Sequence, residues 1–311
     1  MKVISKKSKL RAISYFYLLI NTVCWGALLP IAKWGLQDTS PFRYLLYRFF
    51  VASILSIPIL WHYFPRVKQP FQAIKTIVAL ELIGTSLALS VLYVGLQYTT
   101  SIEANLIGTT APILLTLGGV YFLKEKEEKR ELWGLFLAII GTLLLVVSPL
   151  LAMFSPSMGG LLRGNVLILV HTLATVIYFL KAKSAFKHIP KLFVSSISFI
   201  VGLVTFLILS LVESSFSISS LYSVMLQDFT SLRVIIVVVF AAVFGSIIGL
   251  TAYIKGQAGI EASEAGLFTY LQPVISIPLA VLLLGENIGG FEIAAMLLIL
   301  SGVWIAERKR A

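Results

Sequence analysis

Residues 232–254 read LRVIIVVVFAAVFGSIIGLTAYI, and this stretch decides the fold class. Its one charge, Arg233, stands at the second position. A helix of about 20 apolar residues crosses the hydrocarbon core of a bilayer, so the run reads as a membrane span. Nine further windows read the same way: 14–35, 43–62, 74–96, 101–123, 131–150, 164–182, 192–212, 263–284 and 289–306. β-barrel alternation is absent, and lipid forces every backbone polar group to be satisfied internally, so the spans are helices. Of the 311 residues 58% are hydrophobic and 13% charged, whereas a soluble chain carries about 25% charged residues. Lipid is the solvent this composition suits, and the expected fold is all-α with ten transmembrane helices.

The formal net charge is +11. Its placement argues against a nucleic-acid partner, because the basic residues stand in short clusters between apolar runs, as membrane topology requires. Twenty of the 25 Lys and Arg fall in segments that a ten-helix chain with both termini inside keeps on the inner side. Lys33, Arg43, Arg48, Arg163 and Arg233 are the other five. The expected location is the plasma (inner) membrane, with both termini cytoplasmic. The single cysteine, Cys24, permits no intramolecular disulfide, and no zinc motif is present. The basic start, Lys2 to Lys9, precedes an apolar run without a small-residue cleavage site, so it reads as an uncleaved first helix. A Ser-rich outer loop is expected over 213–231, and the segment 151–163, with Pro156, Gly159 and Gly160, divides the chain into halves 1–150 and 163–311.

The halves resemble each other at an offset of 161 residues. Pro112, Glu125 and Gly141 pair with Pro273, Glu286 and Gly302; Glu103-Ala104 pairs with Glu264-Ala265, Gly84 with Gly245, and Leu123 with Leu284. Five helices per half is an odd number, so the second half is expected to lie upside down relative to the first. Such inverted repeats suit a secondary transporter, in which two halves rock about a central site.

The motifs resemble those of the drug/metabolite transporter superfamily, in its ten-helix EamA-type branch. The residues that carry the resemblance are Trp25-Gly26 and Lys33, Pro41 and Arg48, Pro112 with Glu125, Tyr270-Leu271-Gln272-Pro273 with Leu284-Gly285-Glu286, and Gly302-Val303 before a basic tail. The first half departs at Lys124-Glu125, where the second has Gly285-Glu286. The resemblance covers essentially the whole chain. It implies transport of small metabolites by alternating access, without naming a cargo.

A helix that lines a pathway carries polar or small residues at helical spacing. Ser86, Ser90, Tyr93 and Gln97 do so in helix three, and Asn105, Thr109 and Thr116 in helix four. Asn21 and Trp25 do so in helix one, His171, Thr175 and Tyr178 in helix six, and Ser246, Gly249 and Tyr253 in helix eight. Helices five and ten lack such a stripe and are expected at the periphery. The candidate substrate site is Asn21, Trp25, Arg48, Tyr93, Asn105, Thr109, His171, Tyr178, Tyr253 and Tyr270. The competing reading is that small and hydroxyl residues let membrane helices approach closely.

Arg48, two turns into helix two, suits either a substrate carboxylate or helix-end carbonyls. Lys33 either snorkels to the outer interface or faces inward. Thr100-x-x-Glu103 is a capping-box pattern, and Glu103 and Glu264 both suit helix N-termini. Glu81 is either a hydrated carboxylate or a proton carrier, and His171 either bonds a neighbouring helix or contacts a proton or substrate. Glu125 and Glu286 are expected to brace the next turn. An enzyme is disfavoured: the chain has no His-Glu-x-x-His, no Gly-x-Ser-x-Gly and no P-loop. No cofactor, metal or catalytic residue is expected. The partners are a small-molecule substrate, most simply an amino acid or a related compound leaving the cell, and the lipid bilayer. Nothing in the pattern specifies an oligomer.

Overall fold

Helices begin where the chain supplies caps. Ser40 accepts from the Arg43 N–H at 3.2 Å, and Pro41 follows at the first helical position, where its missing N–H costs nothing. Thr100 accepts from the Glu103 N–H at 3.0 Å. The expected capping box is half formed, because the Glu103 carboxylate turns to the Thr99 hydroxyl at 2.7 Å. The computed structural model describes residues 6–115, 133–134, 136–144, 158–257, 260 and 267–307, and the structural statements below concern these. Thr116, Lys124, Glu125, Glu264 and most of the expected halves' boundary lie outside them.

Among the described residues all regular structure is helical. In chain order the helices are α1 (Lys6–Gly35), α2 (Pro41–Tyr63), α3 (Pro70–Glu81), α4 (Ala88–Leu96), α5 (Ser101–Gly108), α6 (Met158–Ala185), α7 (Lys191–Glu213), α8 (Ile218–Asp228), α9 (Leu232–Val239), α10 (Gly249–Gly256), α11 (Gln272–Leu284) and α12 (Gly290–Glu307). Wider π-helical turns, Leu82–Leu87 and Phe240–Ile248, join α3 to α4 and α9 to α10. Six spans are long and apolar enough to cross a membrane: Leu10–Gly35, Pro41–Arg66, Pro70–Leu96, Gly160–Ala182, Lys191–Glu213 and Leu232–Gly256. Phe268–Leu284 and Gly290–Gly302 are shorter apolar helices. Large apolar side chains face outward, Trp61 at 81% exposure and Leu282 at 79%, while Tyr44, Tyr93, Phe193 and Phe206 are buried. Lipid, not water, is the solvent in which such a surface is stable.

Two seams organise the interior. In the first, α1 runs antiparallel to the Leu232–Gly256 span: a Cβ on Gly256 would meet Leu18 and the Ser14 carbonyl, and one on Gly245 would meet Leu28. Between them, Asn21 Nδ2 donates to the Gly249 carbonyl at 3.0 Å. In the second seam, α6 runs antiparallel to Pro70–Leu96. A Cβ on Gly95 would meet Ile168 and the Gly164 carbonyl, and one on Gly84 would meet the Tyr178 ring. Between them, His171 Nδ1 bonds the Ala88 carbonyl at 2.8 Å. Each of these contacts of the first seam has its counterpart in the second. Residue numbers differ by 150 on the α1 and α6 side and by 161 on the other. The difference matches the 11 residues of α8, which occupies the region expected as a Ser-rich loop. The 161-residue register therefore holds from the third span onward, and the first two spans follow a different one.

The helical residues 133–134 and 136–144 meet α12 at two glycines. A Cβ on Gly141 would meet the Ala295 carbonyl and Ile299, and one on Gly302 the Gly134 carbonyl and Ala138. Trp133, Phe136, Leu297 and Trp304 stay exposed around this contact, at the edge of the bundle.

Candidate functional site

Helix α5 packs against α1, α6 and α11, which places it centrally. The candidate residues fall into three groups around it. Asn21, Trp25 and Tyr253 share the first seam. Trp25 Nε1 donates to the Gly245 carbonyl at 3.0 Å, and its ring lies 5.2 Å from that of Tyr253. His171 and Tyr178 share the second seam, and Tyr178 donates to Glu81 Oε1 at 2.6 Å.

Arg48, Tyr93, Asn105, Thr109 and Tyr270 form or flank the third group. Arg48 is 8% exposed. Its Nε donates to Ser246 Oγ at 3.1 Å and one terminal nitrogen to Tyr93 OH at 3.0 Å, so it ties α2 to the Pro70–Leu96 and Leu232–Gly256 spans. Neither partner carries charge. Tyr44 lies 5.1 Å from Tyr93, ring to ring, and its buried hydroxyl has no partner among the described residues. Tyr44 was not among the expected residues. Its sequence signal is only its place one turn before Arg48, on the same helix face. Asn105 Oδ1 is likewise buried without a partner, whereas Thr109 turns its hydroxyl to the Leu106 carbonyl of its own helix at 2.6 Å. Tyr270 is 7% exposed and belongs to the same apolar core as Tyr44 and Tyr93.

The helix ends that carry Thr39, Ser101 and Asp228 are tied by an ionic layer that sequence reading largely missed. Asp228, 4% exposed, accepts from Thr39 Oγ1 at 2.7 Å, Arg43 Nε at 2.7 Å and Tyr47 OH at 2.8 Å. Arg233 pairs with Asp38 at 3.2 Å. Glu286 does not brace its own next turn. It crosses to the first half, where it accepts from Ser101 N at 2.8 Å, Ser101 Oγ at 2.9 Å and Ile102 N at 3.1 Å. The chain leaves α11 through Gly285 in the left-handed region, φ 64°, which aims the carboxylate across the interface. Lys33 turns to partners at the helix ends: it donates to the Thr99 carbonyl and pairs with Glu286 at 3.0 Å. Beside it lies a pocket of about 180 Å³ lined by Lys33, Leu36, Gln37, Leu96 and Gln97.

The arrangement is tied by ion pairs at one end and holds polar groups within. Comparison with known proteins places it. The model of the EamA-like transporter family matches residues 12–147 and again residues 162–307. The chain is similar to the uncharacterized transporter YetK of Bacillus subtilis (strain 168), with 24% identity over 85% of this chain and 77% of that protein. It is similar to an uncharacterized transporter of Archaeoglobus fulgidus at 25% identity, over 95% of this chain and 99% of that one. A protein of Salmonella typhimurium (strain LT2) named a probable amino-acid metabolite efflux pump is 24% identical over 93% of each chain. A solved crystal structure of 18% identity shares the fold, with a TM-score of 0.60 over 97% of this chain and 96% of that one.

Proposed function

Because the chain belongs to the EamA-like transporter family, an integral membrane transporter family acting on small molecules, we propose that it exports small metabolites, amino acids among them, by alternating access. It does so from the cytoplasmic membrane with both termini inside. The proposed architecture is ten helices in two inverted five-helix repeats, residues 1–150 and 163–311. The observation that carries the reading is the pair of matched seams. Asn21 on Gly249 and His171 on Ala88 are the same contact made twice, between opposite halves of the chain. Two interfaces of like geometry have like energy, so opening one while closing the other costs little, which is what alternating access requires.

In this reading Arg48 binds the carboxylate of the cargo. Its fork is held by two hydroxyls, a weaker hold than a carboxylate offers, and Tyr44 brings a further hydroxyl with an unused bond. Trp25, Tyr93, Tyr253 and Tyr270 supply aromatic surface, with Asn21, Asn105, Thr109, His171 and Tyr178 as polar contacts. The name of the Salmonella relative agrees with an amino-acid cargo leaving the cell. The test is counterflow of radiolabelled amino acids in liposomes containing the purified chain, together with the extracellular metabolites of cells that overproduce it. Trans-stimulated uptake of at least one amino acid is expected. No counterflow, with no metabolite raised outside the cells, defeats the reading of the cargo.

A further inference from the structure

Glu81 is a buried carboxyl within a span that the transport reading leaves unused. It is 2% exposed and ends α3, about 16 Å along the Pro70–Leu96 span at 1.5 Å per residue. Two hydroxyls bond it: Tyr178 OH from α6 at 2.6 Å, and Thr85 Oγ1 one turn ahead. The π-helical turn Leu82–Leu87 begins at the next residue and holds Gly84 against the Tyr178 ring. π turns inside α-helices occur often at functional sites, because the extra residue loosens the local ladder. A carboxyl within a span is expensive to retain for packing alone, and Gln has the same shape without the charge. The partners suit a proton. A hydroxyl donates to a carboxylate and accepts from a carboxylic acid, so Tyr178 and Thr85 satisfy both protonation states by rotating their O–H bonds. A metal cation needs a fuller shell of oxygens, six to eight for calcium, and the site shows the carboxylate and two hydroxyls.

The position gives such a proton leverage. Glu81, Thr85 and Gly84 lie on the Pro70–Leu96 side of the second seam and Tyr178 on the α6 side, so a change in the Glu81–Tyr178 bond acts on the interface between halves. Gly84 and Thr85 correspond at 161 residues to Gly245 and Ser246 of the first seam, and there the hydroxyl meets a cation, Arg48 of α2. There Gly245 and Ser246 lie within the other π turn, against Leu28 and Arg48. The groups that can influence Glu81 are few. On α6, Tyr178 touches it, Lys181 is exposed, Lys183 follows, and His171 is engaged two turns away with Ala88. On α7, Lys191 is exposed at one end and Glu213 lies at the other. Lys75 shares α3 and is exposed.

We propose that Glu81 binds the coupling proton of this transporter: the carboxylate takes a proton from water on one side and returns it on the other, and its bond to Tyr178 links that occupancy to the second seam. The proposal rests on the transport reading for its flux arm and is independent of it for its proton arm. In the proton arm, purified parent and Glu81→Gln proteins in lipid nanodiscs are titrated by difference infrared spectroscopy. A carboxylic-acid carbonyl band that appears and disappears with pH in the parent is expected to vanish in the variant; a band that persists overturns the proposal. In the flux arm, liposomes are given a one-unit pH gradient of either sign at clamped membrane potential, with the common L-amino acids as radiolabelled probes. One proton per solute sustains about a tenfold solute gradient. The parent is expected to approach that accumulation, while Glu81→Gln loses it and keeps exchange at equal concentrations. Accumulation by Glu81→Gln equal to the parent's, or accumulation driven by a sodium gradient alone, overturns the proposal. If the parent moves no amino acid, the cargo reading fails by itself, and the infrared band still decides the proton site.

Discussion

Replacing Glu286 by alanine should be among the most damaging single changes in the ionic layer at the helix ends. The side chain satisfies two backbone N–H groups at the start of α5, those of Ser101 and Ile102, and the Ser101 hydroxyl. It also balances Lys33 at 3.0 Å. Loss of an N-cap costs about 0.5–2 kcal/mol. Breaking a buried ion pair by removing one partner costs about 3–5 kcal/mol. Lys33 keeps 23% side-chain exposure, so water recovers part of that cost and the lower end applies. The two together come to about 3.5–5 kcal/mol. At about 2 °C per kcal/mol for a large domain, the melting midpoint should fall by roughly 7–10 °C. The assay is the thermal loss of monodisperse protein in detergent, followed by fluorescence-detected gel filtration. Lys33→Gln measures the pair, and the double variant should fall short of the sum by about 0.5–3 kcal/mol, since the two share one interaction. A Glu286→Ala protein that melts within about 1 °C of the parent, outside the error of such cap estimates, refutes the reasoning.

Three further outcomes are expected. Arg48→Lys keeps the charge but cannot reach Tyr93 and Ser246 with one planar fork, so cargo affinity should fall about tenfold or more while folded yield holds; a variant with parental affinity that only melts earlier would make Arg48 a brace. Gly84→Ala should destabilise more than Gly245→Ala, by about 1–3 kcal/mol, because the first added methyl strikes the bonded Tyr178 ring and the second the free end of Leu28; equal melting shifts would contradict this packing. Single cysteines placed at exposed positions of α8, such as Ser219 or Ser223, in a Cys24→Ser background should react with an impermeant reagent from outside intact cells; reaction only after lysis would reverse the proposed topology.

Membrane class, the positions of the six long spans and the kinship of the halves were legible in the sequence because each depends on local quantities. Twenty apolar residues cross a bilayer whatever they pack against, and charge bias is counted along the chain. Trp25-Gly26, Arg48 and the Pro–Glu spacings were enough to mark the family. The 150-residue register of the first two spans was not legible, since α8 shifts the count and only the matched contacts of Asn21 and His171 expose it. The partners of the charged residues were hidden for the same reason. Glu286 serves a helix start 185 residues away, and Asp228 joins Thr39, Arg43 and Tyr47 across a similar distance. A sequence states which groups are costly to bury. Only the tertiary structure decides which donor comes within 3 Å to make that burial tolerable, because the choice is made by the packing of helices far apart in the chain.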